Sequence, residues 1–168
     1  ILNAANDEKK ISRTKNTYFK DKDLHELERL KVQQQLLKDF DRDAYNRLLE
    51  DKRDLVVLDL GSNDGSLVMD RLGCRDEVKK IIAIEIDPET VKRSNEKYQE
   101  DKIEFFCLDL ESKDFMESLN QIMLDQGIEA FDFVNISMIL LHIENPERLL
   151  WKLRKVLKEI QEQSVKAQ

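Results

Sequence analysis

Apolar side chains along this chain change their spacing at about residue 55. Residues 1–20 are polar and aperiodic apart from Tyr18 and Phe19, and read as a tail closed by an aromatic anchor. From Asp23 the spacing becomes helical, with Leu24, Leu27, Leu30, Val32, Leu36, Leu37 and Phe40 forming a wide stripe. A second helix is predicted from about Asp43, carrying Tyr45, Leu48 and Leu49. Beyond Asp54 the apolar residues come in short, almost unbroken runs: Leu55–Leu60, Ile81–Ile86, Ile103–Leu108 and Phe131–Ile136. Such runs suit strands buried on both faces, as parallel sheets require. Between them helical spacing returns over Ser66–Leu72, Pro88–Tyr98 and Ser112–Leu124. Pro146–Ile160 closes the series with Leu149, Leu150, Leu153, Val156, Leu157 and Ile160 on one side.

Strand and helix alternate four times, which predicts an α/β fold: a three-layer, doubly wound, mostly parallel sheet. The chain divides accordingly into a tail with lead-in helices over 1–54 and a sheet domain over 55–168. Asp87-Pro88 and Asn145-Pro146 each place an N-cap residue before a proline at the first helical position. They fix where the second and fourth strands must end.

In such folds ligands bind at the carboxyl ends of the strands, near the switch in strand order. The first strand runs straight into Gly61-Ser62-Asn63-Asp64-Gly65 and then a helix. Glycine there permits a tight turn and a close approach to a ligand, although an ordinary strand-to-helix turn needs little else. Glu85 lies 20 residues after Gly65, near the end of the second strand, where an acid accepts hydrogen bonds from a ribose diol. Asp109 closes the third run, placed to receive an amino group. Carboxylates at buried strand ends call for partners, and Asp59, Glu85 and Asp109 together point to a nucleoside. Taken singly, Asp59 has loop amides as an alternative partner and Asp109 the next helix. A dinucleotide site wants GxGxxG, whereas this loop reads GSNDGS, with Asn63 and Ser66 where glycines belong. A nicotinamide cofactor therefore fits poorly.

The four segments resemble class I S-adenosylmethionine-dependent methyltransferases. VVLDLGSNDGSL is similar to their first motif, IIAIEIDPETV to the second-strand motif with its ribose-binding acid, and IEFFCLDLES to the adenine-contacting third strand. FDFVNISMILLHIENPERLLWKLRKVLK resembles the fourth strand and its helix, and YFKDKDLHELERLKVQQQLL the lead-in helix of some members. The resemblance covers roughly residues 18–158 and implies a Rossmann-like methyltransferase fold. It implies S-adenosylmethionine as cofactor, S-adenosylhomocysteine as product, and an acceptor that the sequence does not identify. Under it, backbone at Gly61, Ser62, Asn63 and Gly65 holds the methionine part, with Asp59 supporting the ammonium. Glu85 takes the ribose hydroxyls and Ile86 the adenine face; Asp109 meets the adenine amino group, with Leu110 nearby. Asn135 and Ser137 line the methyl-donor end. His142 is the one imidazole placed beside the cleft as a base, though a histidine before a helix cap is more often a packed residue.

Composition narrows the remaining choices. Residues 1–54 carry 13 basic and 12 acidic side chains, and 55–168 carry 15 and 23, so nothing resembles a basic stripe for nucleic acid. No apolar run reaches membrane-spanning length. Cys74 and Cys107 form no disulfide framework, which predicts a reducing cytoplasm, and the presence of only two histidines argues against a His/Cys metal site. Only about four strands are legible where the family has seven. The expectation is thus a partial domain whose fourth strand lies at a bare edge, open to pairing with a second copy. A non-catalytic nucleoside-binding or regulatory module with this fold is the alternative to an enzyme.

Overall fold

The structure, a computed structural model, describes residues 41–137 and 139–159, together with Val32 and Gln35. The chain divides into two units, 1–44 and 45–168. The described residues of the first are Val32, Gln35 and 41–44, all helical. The aromatic anchor at Tyr18 and Phe19, and the predicted stripe apart from Val32, lie outside the described residues.

The second unit is built on four parallel strands, β1 (Leu55–Leu60), β2 (Val78–Glu85), β3 (Ile103–Cys107) and β4 (Phe133–Ile136), in the order β3-β2-β1-β4. Alternate residues of each strand enter different layers. Val57, Ile81, Ala83 and Phe105 meet Leu49 from the helical segment 41–49 (α1), with Val68 and Leu72 beyond them. Those two belong to α2 (Ser66–Val68) and the wider π-type turn Met69–Gly73 that prolongs it. Val91 of α3 (Pro88–Lys97) packs on the same layer. On the opposite face Leu58, Leu60, Ile82 and Ile84 meet α4 (Phe115–Asp125) and α5 (Pro146–Leu153) through Phe115, Leu119, Leu149 and Leu153. Burial on both faces is why the strands read as continuous apolar runs rather than alternating ones. After β3 the chain crosses to the far side of β1, so the strand order reverses between β1 and β4. In sheets of this kind successive loops leave such a pair in opposite directions, so the carboxyl ends of β1 and β4 are where a ligand crevice is expected.

Both proline-marked caps form. Asp87 Oδ2 accepts from the Thr90 amide at 2.9 Å and from its hydroxyl at 2.5 Å, and Asn145 Oδ1 accepts from the Arg148 amide at 2.9 Å. Thr90's hydrogen bonds hold the Asp87 carboxyl below its usual range. A carboxylate with a depressed native pKa stabilises fully above its unfolded value and loses that contribution as pH falls through the native one. Asp87→Ala is therefore expected to cost about 1 kcal/mol at neutral pH. Urea unfolding should show that difference shrinking below about pH 4.

The sheet's outer edge at β3 is closed by Asn95, whose amide donates to the Phe105 carbonyl and accepts its N–H, both at 2.9 Å. The other edge departs from the sequence-based expectation. The predicted helix through Ile160 stops at Leu153, tightens over Arg154–Val156 and gives way to an extended Leu157 (φ −88°, ψ 145°). Phe131 draws the chain out of the helix: its N–H donates to the Val156 carbonyl at 2.8 Å, and its carbonyl accepts the Lys158 N–H at 2.9 Å. Apolar spacing alone could not show this, because Leu157 fits a helical stripe and a strand start equally well. Just before β4, Leu157 bridges Phe131 in parallel and Lys158 pairs with Asp132 at 2.8 Å, while β4 itself stands at the end of the strand order.

Candidate functional site

The expected crevice is shaped by the turn after β1. Gly61 and Gly65 both adopt left-handed backbone (φ 72° and 75°), and each is pressed by a side chain from elsewhere. A Cβ at 61 would lie 2.9 Å from Ile139 Cγ1, and one at 65 would lie 2.4 Å from Phe105 Cζ. Gly61 and Ser62 donate their N–H groups to the Ile84 carbonyl at 2.9 and 3.1 Å, folding the turn over the end of β2. Asn63, also left-handed (φ 50°), is held there by Glu85.

Glu85 is buried at the carboxyl end of β2. Its Oε2 accepts the Asn63 N–H at 2.8 Å, and its Oε1 accepts those of Ile86 and Asp87 at 2.8 and 3.2 Å. A carboxylate offers about four acceptor positions. Three are occupied by backbone, two on Oε1 and one on Oε2.

Asp59, buried beside it on β1, is the register partner of Asn135 on β4. Asn135 Nδ2 donates to Asp59 Oδ1 at 2.6 Å, while Asn135 Oδ1 accepts from the Tyr45 hydroxyl at 2.6 Å. The Ser62 hydroxyl donates to the Asp59 carbonyl at 3.1 Å. Burial pushes the Asp59 carboxyl above its ordinary range. Hydrogen bonds from Ser62 and Asn135 pull against that shift, the Glu85 charge adds to it, and the Arg71 charge opposes it. A buried carboxylate beside another one favours a cationic ligand.

Of the residues expected from sequence, Asp59, Gly61, Ser62, Asn63, Glu85 and Asn135 are linked by these bonds, and Gly65 closes the turn. Ser137 follows β4 directly and is half-buried. Ile86 is half-exposed at the end of β2, where the Cys107 thiol donates to its carbonyl at 3.4 Å. Asp109 differs from expectation. β3 ends at Cys107, and Asp109 is an exposed loop residue whose Oδ1 accepts the Glu111 N–H at 2.9 Å. It belongs to the same edge, since the Leu108 N–H donates to the Glu85 carbonyl at 3.0 Å, but it is not a buried strand-end acid. Leu110 turns into the layer of α4 and α5. His142 is exposed on the short turn Leu140–His142. Among the described residues no cluster of acidic, histidine or cysteine side chains has the geometry of a metal site.

Three site residues escaped the sequence reading. Tyr45 passes for a core residue because it lies one turn from Leu49. Arg71 is a buried cation, and the apolar Val68 and Leu72 on either side of the Asp70-Arg71 pair give little sign of that in sequence. Ile139, over Gly61, gives no sign in sequence.

A parallel β3-β2-β1-β4 sheet, with a glycine turn and two buried acids at the carboxyl ends of its central strands, defines a Rossmann-like fold. The chain belongs to the methyltransferase-domain family, which matches residues 58–160. Among solved structures it is similar to magnesium protoporphyrin IX methyltransferase from Synechocystis PCC 6803 with bound S-adenosylhomocysteine. That likeness has 16% identity and a TM-score of 0.55, and covers 89% of this chain and 64% of that one. It is also similar to YcgJ from Bacillus subtilis (18%, TM-score 0.54, covering 72% and 47%). An S-adenosylmethionine-dependent methyltransferase from Mesorhizobium loti matches as well (16%, TM-score 0.51, covering 69% and 48%). The chain spans about half the length of the last two. No curated protein matches it.

Proposed function

We propose that this chain binds S-adenosylmethionine in the crevice between β1 and β4 and takes part in transferring its methyl group to an acceptor. The observation that carries this reading is the pair of buried acids around the glycine turn. Asp59 is tied to Asn135 across the switch point, and Glu85 is tied to the Asn63 amide. Asp59 fits the donor's ammonium, because an acceptor-only carboxylate kept from water gains most from a cationic partner. Glu85 retains one acceptor position for a ribose hydroxyl. Ile86 offers an apolar face for adenine, and Asp109 supplies a carboxylate for the adenine amino group, while Leu110 anchors that loop in the core. Backbone at Gly61, Ser62 and Gly65 borders the methionine part. Asn135 and Ser137 stand at the methyl-donor end, and His142 stands on the acceptor side as a base.

S-adenosylmethionine brings an already activated methyl group, displaced in line. The protein's share is therefore alignment and exclusion of water. Two exposed free cysteines fit a reducing cytoplasm. Among the described residues no helix is long and apolar enough to cross a membrane. Pairing of two copies along β4 belongs to this reading only beyond Phe131, whose edge Leu157 already takes.

A second reading, a non-catalytic module with the same fold, draws on Glu85. Three of its acceptor positions are filled by backbone, as in a closed site. Calorimetric titration tests the methyl-donor site, and a turnover assay separates an enzyme from a module that binds the donor without transferring its methyl group. Saturable binding of S-adenosylmethionine and S-adenosylhomocysteine, with no heat from NAD, is expected. Glu85→Gln is expected to weaken S-adenosylhomocysteine about tenfold, since a ribose hydroxyl loses a charged acceptor. A parent chain that binds neither compound overturns the methyl-donor reading.

A further inference from the structure

We infer that Tyr45 is a positioning residue for the ammonium end of the methyl donor, acting through Asn135 on Asp59; the inference rests on the reading above. The three side chains form one hydrogen-bonded line from α1 across β4 to β1, with both links at 2.6 Å. An ionised Asp59 only accepts, so its neighbour must present a donor. The Asn135 amide has a donor end and an acceptor end and can face Asp59 with either. With Oδ1 toward Asp59, two acceptors would oppose each other in a buried site. The Tyr45 hydroxyl, donating to Oδ1, favours the orientation that turns Nδ2 toward Asp59.

Tyr45 is itself fixed, because Leu49 one turn further along α1 is buried in the layer beneath β1. The charged groups acting on Asp59 come from other elements, Glu85 on β2 opposing its ionisation and Arg71 from the turn after α2 favouring it. The line from Tyr45 adds to the arginine's side of that balance. Losing the phenol frees the amide, makes Asp59 easier to protonate and weakens its hold on a cation.

The test is Tyr45→Phe, with binding of S-adenosylhomocysteine and of 5′-methylthioadenosine titrated from pH 5 to 8. The second compound shares the nucleoside but lacks the ammonium. Tyr45→Phe should weaken S-adenosylhomocysteine about three- to tenfold at neutral pH. It should also move the acid loss of its affinity to higher pH and leave 5′-methylthioadenosine unchanged. Equal weakening of both compounds, or an unmoved pH profile, overturns the inference and leaves Tyr45 a packing residue. Should Tyr45→Phe fail to fold, Asn135→Ala breaks the same line from the other end. It must show the same selective loss, and an unchanged S-adenosylhomocysteine profile there overturns the inference. A parent that binds 5′-methylthioadenosine but not S-adenosylhomocysteine also overturns it, and a parent that binds neither overturns the methyl-donor reading itself.

Discussion

Gly65→Ala is expected to destabilise the sheet unit by about 2–5 kcal/mol, more than any other single methyl group added to the turn. Two effects combine. The backbone at 65 is left-handed, which a side chain disfavours by about 1–2 kcal/mol. The new Cβ would then stand 2.4 Å from Phe105 Cζ, inside van der Waals contact. Phe105 is poorly placed to yield, being buried in the layer under β1 and stacked on Tyr98 with centroids 6.0 Å apart. Gly127→Ala provides the control. Its φ is 65° with nothing near the added methyl, so it should cost only the backbone share, about 1–2 kcal/mol. Adding Phe105→Leu to Gly65→Ala removes the offending ring edge. The double variant should then lose less than the sum of the two single ones in urea unfolding. Strict additivity would show that the ring contact does not explain the glycine.

How far the site was legible follows from where its causes lie. Gly65 was visible in sequence as the second glycine of a turn after an apolar run. The reason for it was not, because Phe105 is 40 residues away and reaches it only through the β2–β3 pairing. Asp59 and Glu85 were legible because a carboxylate inside an apolar run is costly unless partnered. Asp109 looked the same on that criterion and is different, since β3 stops two residues earlier and lets the chain turn outward. The strands and both capped helices followed from local pattern and end-signals, which need no tertiary partner. Leu157 shows the converse. Its departure from the helix is set by Phe131 through backbone hydrogen bonds, and side-chain spacing carries no record of backbone partners. Tyr45 stayed hidden for a related reason, because a tyrosine at core spacing satisfies the apolar pattern with its ring whether or not its hydroxyl has work to do.

Asp59→Asn should separate folding from binding in opposite directions. Burial raises the native Asp59 pKa above the unfolded value, so the native state takes up this proton more readily than the unfolded chain. Between those two pKa values the native state holds more protons, and its stability falls as pH rises through that window. The cost is absent below the unfolded value near 4 and complete above the native one. An asparagine does not titrate and still offers an acceptor to Asn135 Nδ2. The variant should therefore match the parent near pH 4 and be the more stable of the two at pH 8, as read by urea midpoints. Binding should move the other way. The ammonium of S-adenosylhomocysteine loses a charged partner in a site shielded from water, so its affinity should fall about tenfold to a hundredfold. 5′-Methylthioadenosine should bind as before. Less stability at pH 8 would mean that Arg71 and the hydrogen bonds outweigh the burial of the charge. Undiminished affinity for S-adenosylhomocysteine would mean that the ammonium sits elsewhere. A gain in stability with a loss confined to the ammonium-bearing ligand is the result that fits a carboxylate kept at a cost to the fold for the sake of what it binds.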